Sequence, residues 1–162
     1  MAVNDGLRFE DVEPRVKRAF LRAPERFLLD PHVQLYRWTN RALVEDRAPA
    51  WWSFVISTRL PSGAVAEGFR VSEERAMRLR RPHRELARAR AAISERFDNS
   101  MRELLIVRLN TPVWAFVGQA SGQPEFGDTR PEFDNVLLIG GAYQVWAPNL
   151  ERQHVTVVPV EA

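Results

Sequence analysis

Two acidic side chains lie directly before a short apolar run in the C-terminal part of the chain. Glu132 and Asp134 precede the run, which covers residues 136–139. Four successive apolar residues are typical of a strand that is covered on both faces. Such a strand holds a carboxylate in a fixed position at its end.

An arginine lies within a second candidate strand, at residues 33–38. In the two-residue period of a strand, Arg37 shares a face with Val33 and Leu35, so we expect it to point inward. An inward arginine is either satisfied at the end of a sheet or used to recognise an anion, because its planar guanidinium matches a phosphate.

The elements that would position these residues follow from periodicity and turn signals. Apolar residues recur at helical spacing between residues 11 and 29, which predicts one or two helices there. Between residues 72 and 98 two more helices are expected, the first capped by Ser72 and the second starting at Pro82. Further strands are predicted at four segments: 51–60, 104–109, 113–117 and 154–160.

A β-hairpin is predicted at residues 134–146. Gly140 and Gly141 accept the positive φ angles of a tight primed turn. After them, Tyr143 and Val145 alternate with Gln144 and Trp146, as in a strand with two different faces.

Length and composition indicate one domain. The chain has 162 residues, of which 45% are hydrophobic, which is enough for a single core. We therefore expect a single domain, and the predicted mixture of helices and strands makes it α+β. Its parts are an N-terminal helical segment at residues 1–30 and a core at residues 31–162.

The hairpin resembles a motif of the bacterial toxin-type mono-ADP-ribosyltransferases, in which an acidic stretch leads into E-V-L-L-P-x-G-x-x-[FY]-x-[VI]. Val136-Leu137-Leu138 is similar to V-L-L, Gly140-Gly141 to the turn, and Tyr143-Gln144-Val145 to the aromatic-x-aliphatic strand. Asn135 stands where the family has its catalytic glutamate. The resemblance therefore implies either that Asp134 or Glu132 takes that role or that the chain is an inactive relative.

Other segments resemble the arginine-serine-glutamate class of this family. Leu35-Tyr36-Arg37-Trp38 is similar to the strand whose arginine holds NAD, which implies that Arg37 and Trp38 contact NAD. The family's Ser-Thr-Ser strand matches Ser57 and Thr58 in one register and Ser53 in an earlier one, and we favour Ser57. In the loop before the acidic motif, Phe126 and Phe133 correspond to a region that recognises the target in this family, and anchoring of the loop by apolar contacts is an equal alternative for the two side chains.

The resemblance extends over most of residues 35–160. It implies an ADP-ribosyltransferase-like split β-sandwich with flanking helices and NAD as a substrate whose nicotinamide–ribose bond is cleaved. The acceptor would be a macromolecule, with a protein favoured, as for a toxin or effector. One alternative is a catalytically inactive module of the same fold. A further alternative is a nucleic-acid-binding domain that uses the arginine-rich helices at residues 75–96.

Composition excludes several other classes. The chain has no cysteine, so thiolate catalysis, disulfides and cysteine-based zinc sites are excluded. Its three histidines are far apart in sequence, and we expect no metal site. The chain has neither a signal peptide nor a membrane-length apolar run, which predicts a protein made in the cytoplasm without membrane contact. Delivery into another cell by a specialised secretion system would leave no mark in the sequence.

Overall fold

The computed structural model describes most of the chain as one sheet-rich α+β fold with few helices, in agreement with the expected class. The described residues are 2–39, 47–85, 103–121, 123–124, 137–138 and 141–160.

The described helices are short. They are α1 (Pro14–Arg18), α2 (Phe69–Arg78) and two single-turn 3-10 helices, Phe9–Asp11 and Arg152–His154. Residues 83–85 are also helical. No helix among the described residues is long and apolar enough to cross a membrane.

The described chain contains eleven strands. They are β1 (Glu25–Leu29), β2 (Gln34–Thr39), β3 (Trp51–Phe54), β4 (Thr58–Arg59), β5 (Val65–Ala66), β6 (Glu103–Leu109), β7 (Val113–Gln119), β8 (Gln123–Pro124), β9 (Leu137–Leu138), β10 (Tyr143–Trp146) and β11 (Val155–Val158).

Seven strands form the central antiparallel sheet, in the order β1-β7-β10-β3-β2-β6-β11. Strand β3 joins two halves of this sheet, one made of β1, β7 and β10 and the other of β2, β6 and β11. Trp51 and Trp52 pair with β10, whereas Ser53 and Phe54 pair with β2. Strands β2 and β3 therefore part beyond the pair of Tyr36 and Ser53.

The sheet curls strongly between β1 and β3. Neighbouring strands lie about 4.8 Å apart, so strands three positions apart in a flat sheet would be separated by about 14 Å. The ring centroids of Phe27 in β1 and Phe54 in β3 are nevertheless only 6.3 Å apart. The inner face of the curled sheet encloses the main core, to which both halves contribute fully buried side chains. These include Leu29, Val117 and Val145 from one half and Leu35, Val107 and Leu109 from the other.

Each half of the sheet is covered on its outer face by a different segment. The N-terminal segment packs Val16 and Phe20 against Phe116 and Trp146. On the other half, Phe69 at the start of α2 packs edge-to-face on Tyr36 of β2, with ring centroids 5.0 Å apart. Strand β2 is therefore enclosed on both faces.

The N-terminal segment is less helical than expected. Helix α1 covers only Pro14–Arg18, and Glu25–Leu29 is the edge strand β1 rather than a helix. Pro24 precedes β1 and favours extended backbone. Every residue of β1 pairs with β7, so tertiary pairing prevails over the helical spacing seen in the sequence.

Two expectations about local structure were wrong, one about the cap of a helix and one about the pairing of two strands. Helix α2 begins at Phe69 with Gly68 as its N-cap, so Ser72 is a buried residue inside the helix rather than its cap. Strands β9 and β10 both exist, but β9 pairs with β8, whereas β10 pairs with β7 and β3. Gly141 has a φ of 91° and its N–H donates to Ala120 O, which directs the chain toward β7 instead of back along β9.

Candidate functional site

Arg37 lies on the inner face of β2, at the point where β2 and β3 part. Its neighbours on that face are Leu35 and Thr39, and its cross-strand partner on β6 is Leu105. The described pairing of β2 with β3 ends at Tyr36 and Ser53, so none of the described strands pairs with β2 at Arg37 on this side. The expectation that Arg37 points inward from a central strand is confirmed.

The guanidinium of Arg37 is poorly satisfied. One terminal nitrogen donates to Trp51 O across the gap, at a long 3.3 Å. Its Nε is buried and has no hydrogen-bond partner within the described part of the chain. The described ion pairs, Arg15 with Glu13 and Arg75 with Glu67, do not involve it.

Burial lowers the pKa of the Arg37 guanidinium to about 10, because the charged form loses solvation. The group is still a cation near neutral pH. A partly buried cation without a counter-ion is unfavourable, and a bound anion with oxygen atoms at the Nε edge would relieve that penalty. The described geometry of the guanidinium is therefore compatible with recognition of an anion.

Thr39 is a polar residue near this site that the sequence reasoning missed. It lies two residues after Arg37 on the same face of β2 and is 3% exposed. The two-residue alternation that placed Arg37 inward extends to Thr39 and would have identified it. Thr39 therefore adds a second polar side chain to the inner face of β2, two residues from Arg37.

Trp38 points to the opposite face of β2 from Arg37, and the structure does not bring the two side chains together. Its indole Nε1 donates to His83 Nδ1 at 3.1 Å, and His83 Nε2 lies 2.9 Å from Ser72 Oγ. An indole N–H is only a donor, so Nδ1 must accept and Nε2 carries the proton of the neutral ring. His83 therefore donates to Ser72 and cannot act as a base that activates this hydroxyl.

Burial lowers the pKa of His83, and the nearby Glu73 carboxylate partly opposes the shift. The lowered pKa favours the neutral ring that accepts from Trp38. The group consisting of Tyr36, Trp38, Phe69, Ser72 and His83 thus fastens α2 to the outer face of β2. We interpret this group as structural support for the strand that carries Arg37.

The predicted serine and threonine contacts are divided among different places. Ser53 lies on β3 and pairs with Tyr36, on the outer face of the sheet. Ser57 Oγ accepts from Gly68 N–H at 2.8 Å, and Thr58 Oγ1 donates to Ile56 O at 2.8 Å. Ser57 thereby links the turn after β3 to the start of α2, Thr58 hydrogen-bonds locally at the beginning of β4, and no described contact joins either hydroxyl to Arg37.

Five predicted site residues lie outside the described residues. They are the candidate catalytic residues Glu132, Asp134 and Asn135 and the candidate target-binding residues Phe126 and Phe133. Among the described residues, no group of three or more histidine, aspartate or glutamate side chains is placed to hold a metal ion.

Comparison with known proteins gives little further information. No protein-family model and no curated protein matches the chain. One solved structure that is similar to this chain is that of Tse6 in complex with Tsi6, with a TM-score of 0.42 and 12% sequence identity. The match covers 93% of this chain and 87% of that chain. A score of this size does not establish a shared fold.

Proposed function

We propose that this protein is an NAD-dependent mono-ADP-ribosyltransferase of the effector or toxin type, with an ADP-ribosyltransferase-like split β-sandwich fold. The observation that carries the proposal is Arg37. It combines a buried Nε without a partner among the described residues with a position on the inner face where β2 and β3 part. A phosphate is, with a carboxylate, one of the anions whose geometry matches its planar set of donors.

In this proposal Arg37 binds a phosphate group of NAD and fixes the position of the dinucleotide relative to the curled sheet. Cleavage of the nicotinamide–ribose bond passes through a state with positive charge on the ribose, which a carboxylate stabilises. Asp134 is our first candidate for that carboxylate and Glu132 the second. Asn135 can hydrogen-bond a ribose hydroxyl but supplies no charge. The acceptor of the ADP-ribosyl group is proposed to be a macromolecule, with a protein favoured.

Nicotinamide release from NAD, followed by chromatography, tests this function. We expect wild-type protein to release nicotinamide and Asp134→Asn to lose about 100-fold or more in rate, because charge stabilisation of this type is commonly worth ~3 kcal/mol. Glu132→Gln is the matched control and should retain most of the activity. If Glu132→Gln is inactive and Asp134→Asn is active, Glu132 is the working carboxylate.

This chain has Asn135 at the position where the resembling family has its catalytic glutamate. That difference supports a second candidate function, a module that binds NAD without cleaving it. This candidate predicts NAD binding by the wild-type protein with no nicotinamide release, and a gain of release in Asn135→Glu. An absence of both binding and release would contradict both candidates.

A further inference from the structure

The C-terminal end of α2 exposes arginines and large apolar side chains side by side. Met77 is 70% exposed and Leu79 is 56% exposed. They alternate with Arg78 and Arg80, which are followed by Arg81, and all three arginines are exposed. We refer to residues 77–81 as the α2 tip.

The arginines of the α2 tip have no described ion-pair partner, although the exposed Glu73, Glu74 and Glu85 lie nearby in the sequence. Arg75, one turn earlier, pairs with Glu67. Arg78, Arg80 and Arg81 form no ion pair with any other described residue. The exposed Arg84 follows shortly after and adds to the same positive region.

The backbone of the α2 tip is strained at an arginine. Arg81 N–H donates to Ala76 O and Arg80 N–H donates to Met77 O, at 3.0 and 3.1 Å, which is the Schellman pattern at a helix end. The residue at the left-handed position of this motif is usually glycine. Here it is Arg80, with a φ of 53°. A side chain in this conformation costs of order 1 kcal/mol, and strain of this kind is often associated with function.

We infer that the α2 tip is a docking surface for an acidic protein segment that also carries apolar side chains. Charge complementarity requires an acidic partner. Met77 and Leu79 lie among the arginines and would gain from burial against apolar groups of that partner. A nucleic acid would instead be held by phosphate contacts together with exposed aromatic side chains that stack on bases, and the α2 tip contains no aromatic residue.

The α2 tip is separate from the Arg37 site. Helix α2 covers the outer face of β2 through Phe69 on Tyr36, whereas Arg37 lies on the inner face. Occupation of one site should therefore leave the other accessible. Docking at the α2 tip does not depend on the proposed NAD chemistry, and its failure would leave that proposal unaffected.

Fluorescence anisotropy with three labelled probes of equal charge tests the inference. The probes are a short peptide of interspersed leucines and glutamates, a polyglutamate peptide and a single-stranded oligothymidylate. We expect the leucine–glutamate peptide to bind several-fold more tightly than either of the others. Tighter binding of the oligothymidylate, or equal binding of all three probes, would overturn the inference.

Variants locate the binding to the α2 tip. Arg80→Gln should weaken binding of the leucine–glutamate peptide several-fold, whereas Arg108→Gln, the same change on the exposed side of β6, should leave it unchanged. Arg80→Gly should weaken binding equally while the melting temperature stays the same or rises, because glycine relieves the strain. The double variant Met77→Ser, Leu79→Ser should reduce binding to the level of polyglutamate. Wild-type affinity in these three α2-tip variants would overturn the inference.

Discussion

At the scale of single residues, Arg37 and Trp38 show how adjacent positions on one strand serve different purposes. Alternation along β2 directs Arg37 to the inner face and Trp38 to the outer face. Arg37 retains an unsatisfied Nε there, whereas Trp38 donates to His83. Strand β2, which carries Arg37 on its inner face, is therefore held in place by contacts on its outer face.

The link through His83 predicts a pH dependence of stability. Because the folded protein lowers the pKa of His83, it binds a proton less readily than the unfolded chain, whose histidine pKa is roughly 6.5. The stabilising contribution is complete above that value and is lost as the pH falls through the lowered pKa of the folded state. Urea unfolding at about pH 7.5 and about pH 5.5 should show a larger loss in wild-type protein than in His83→Gln.

His32→Gln is a control for this experiment, because His32 is exposed and has no described side-chain hydrogen bond. It should lose stability on acidification as the wild-type protein does. If His83→Gln and wild-type protein responded identically to pH, the link from Trp38 through His83 to Ser72 would not contribute to stability in the way described.

At the scale of elements, the start of α2 depends on Gly68, which lies in close contact with the turn that follows β3. A Cβ on Gly68 would lie 2.5 Å from Ser57 N and 2.6 Å from Val55 O, both of which are backbone atoms. Gly68→Ala must therefore displace α2 from this turn. We expect it to lower the free energy of unfolding by about 3 kcal/mol, the upper part of the usual range for overpacking.

Denaturant unfolding of Gly68→Ala measures this effect, and Gly6→Ala is its control. A Cβ on Gly6 would have no atom within 4 Å, so its effect should stay within about 0.5 kcal/mol. Equal stability of the two variants would show that α2 is not held against the turn as described.

Strands were predicted from the sequence more accurately than helices, for a physical reason. Strands β2, β6 and β7 carry alternating or continuous apolar residues that pairing on both edges reinforces, and all three were expected. Helical spacing at residues 25–29 was overridden by pairing with β7. The start of α2 was misplaced because Ser72 has the residue type of a cap, whereas its hydroxyl contacts His83 inside the fold.

At the scale of the whole molecule, the N-terminal segment is part of the packed fold. Phe20 is 5% exposed, and its ring lies 5.5 Å from that of Trp51, centroid to centroid. Phe20→Ala should lower the free energy of unfolding by about 3–5 kcal/mol, because it opens a cavity against β3 and β7. Leu21→Ala is the matched control, since Leu21 is 55% exposed, and it should have little effect. Similar values for the two variants would show that the segment does not support the sheet.

The candidate site could be predicted from the sequence only in part. The inward direction of Arg37 follows from alternation along a single strand, which is local information. The parting of β2 and β3 depends on their pairing ending after Tyr36 and Ser53, and no local pattern encodes where that pairing ends. Whether Asp134 faces Arg37 likewise depends on the path of residues outside the described part of the chain.

Calorimetric titration with NAD tests the central claim most directly, because it measures the ligand at Arg37 without requiring turnover. Wild-type protein should bind NAD, and Arg37→Lys should bind it several-fold or more weakly, since lysine keeps the charge but loses the planar set of donors. Arg108→Lys, the same change at an exposed position on β6, should bind as the wild-type protein does. An unchanged NAD affinity in Arg37→Lys, or an absence of NAD binding by the wild-type protein, would contradict the account.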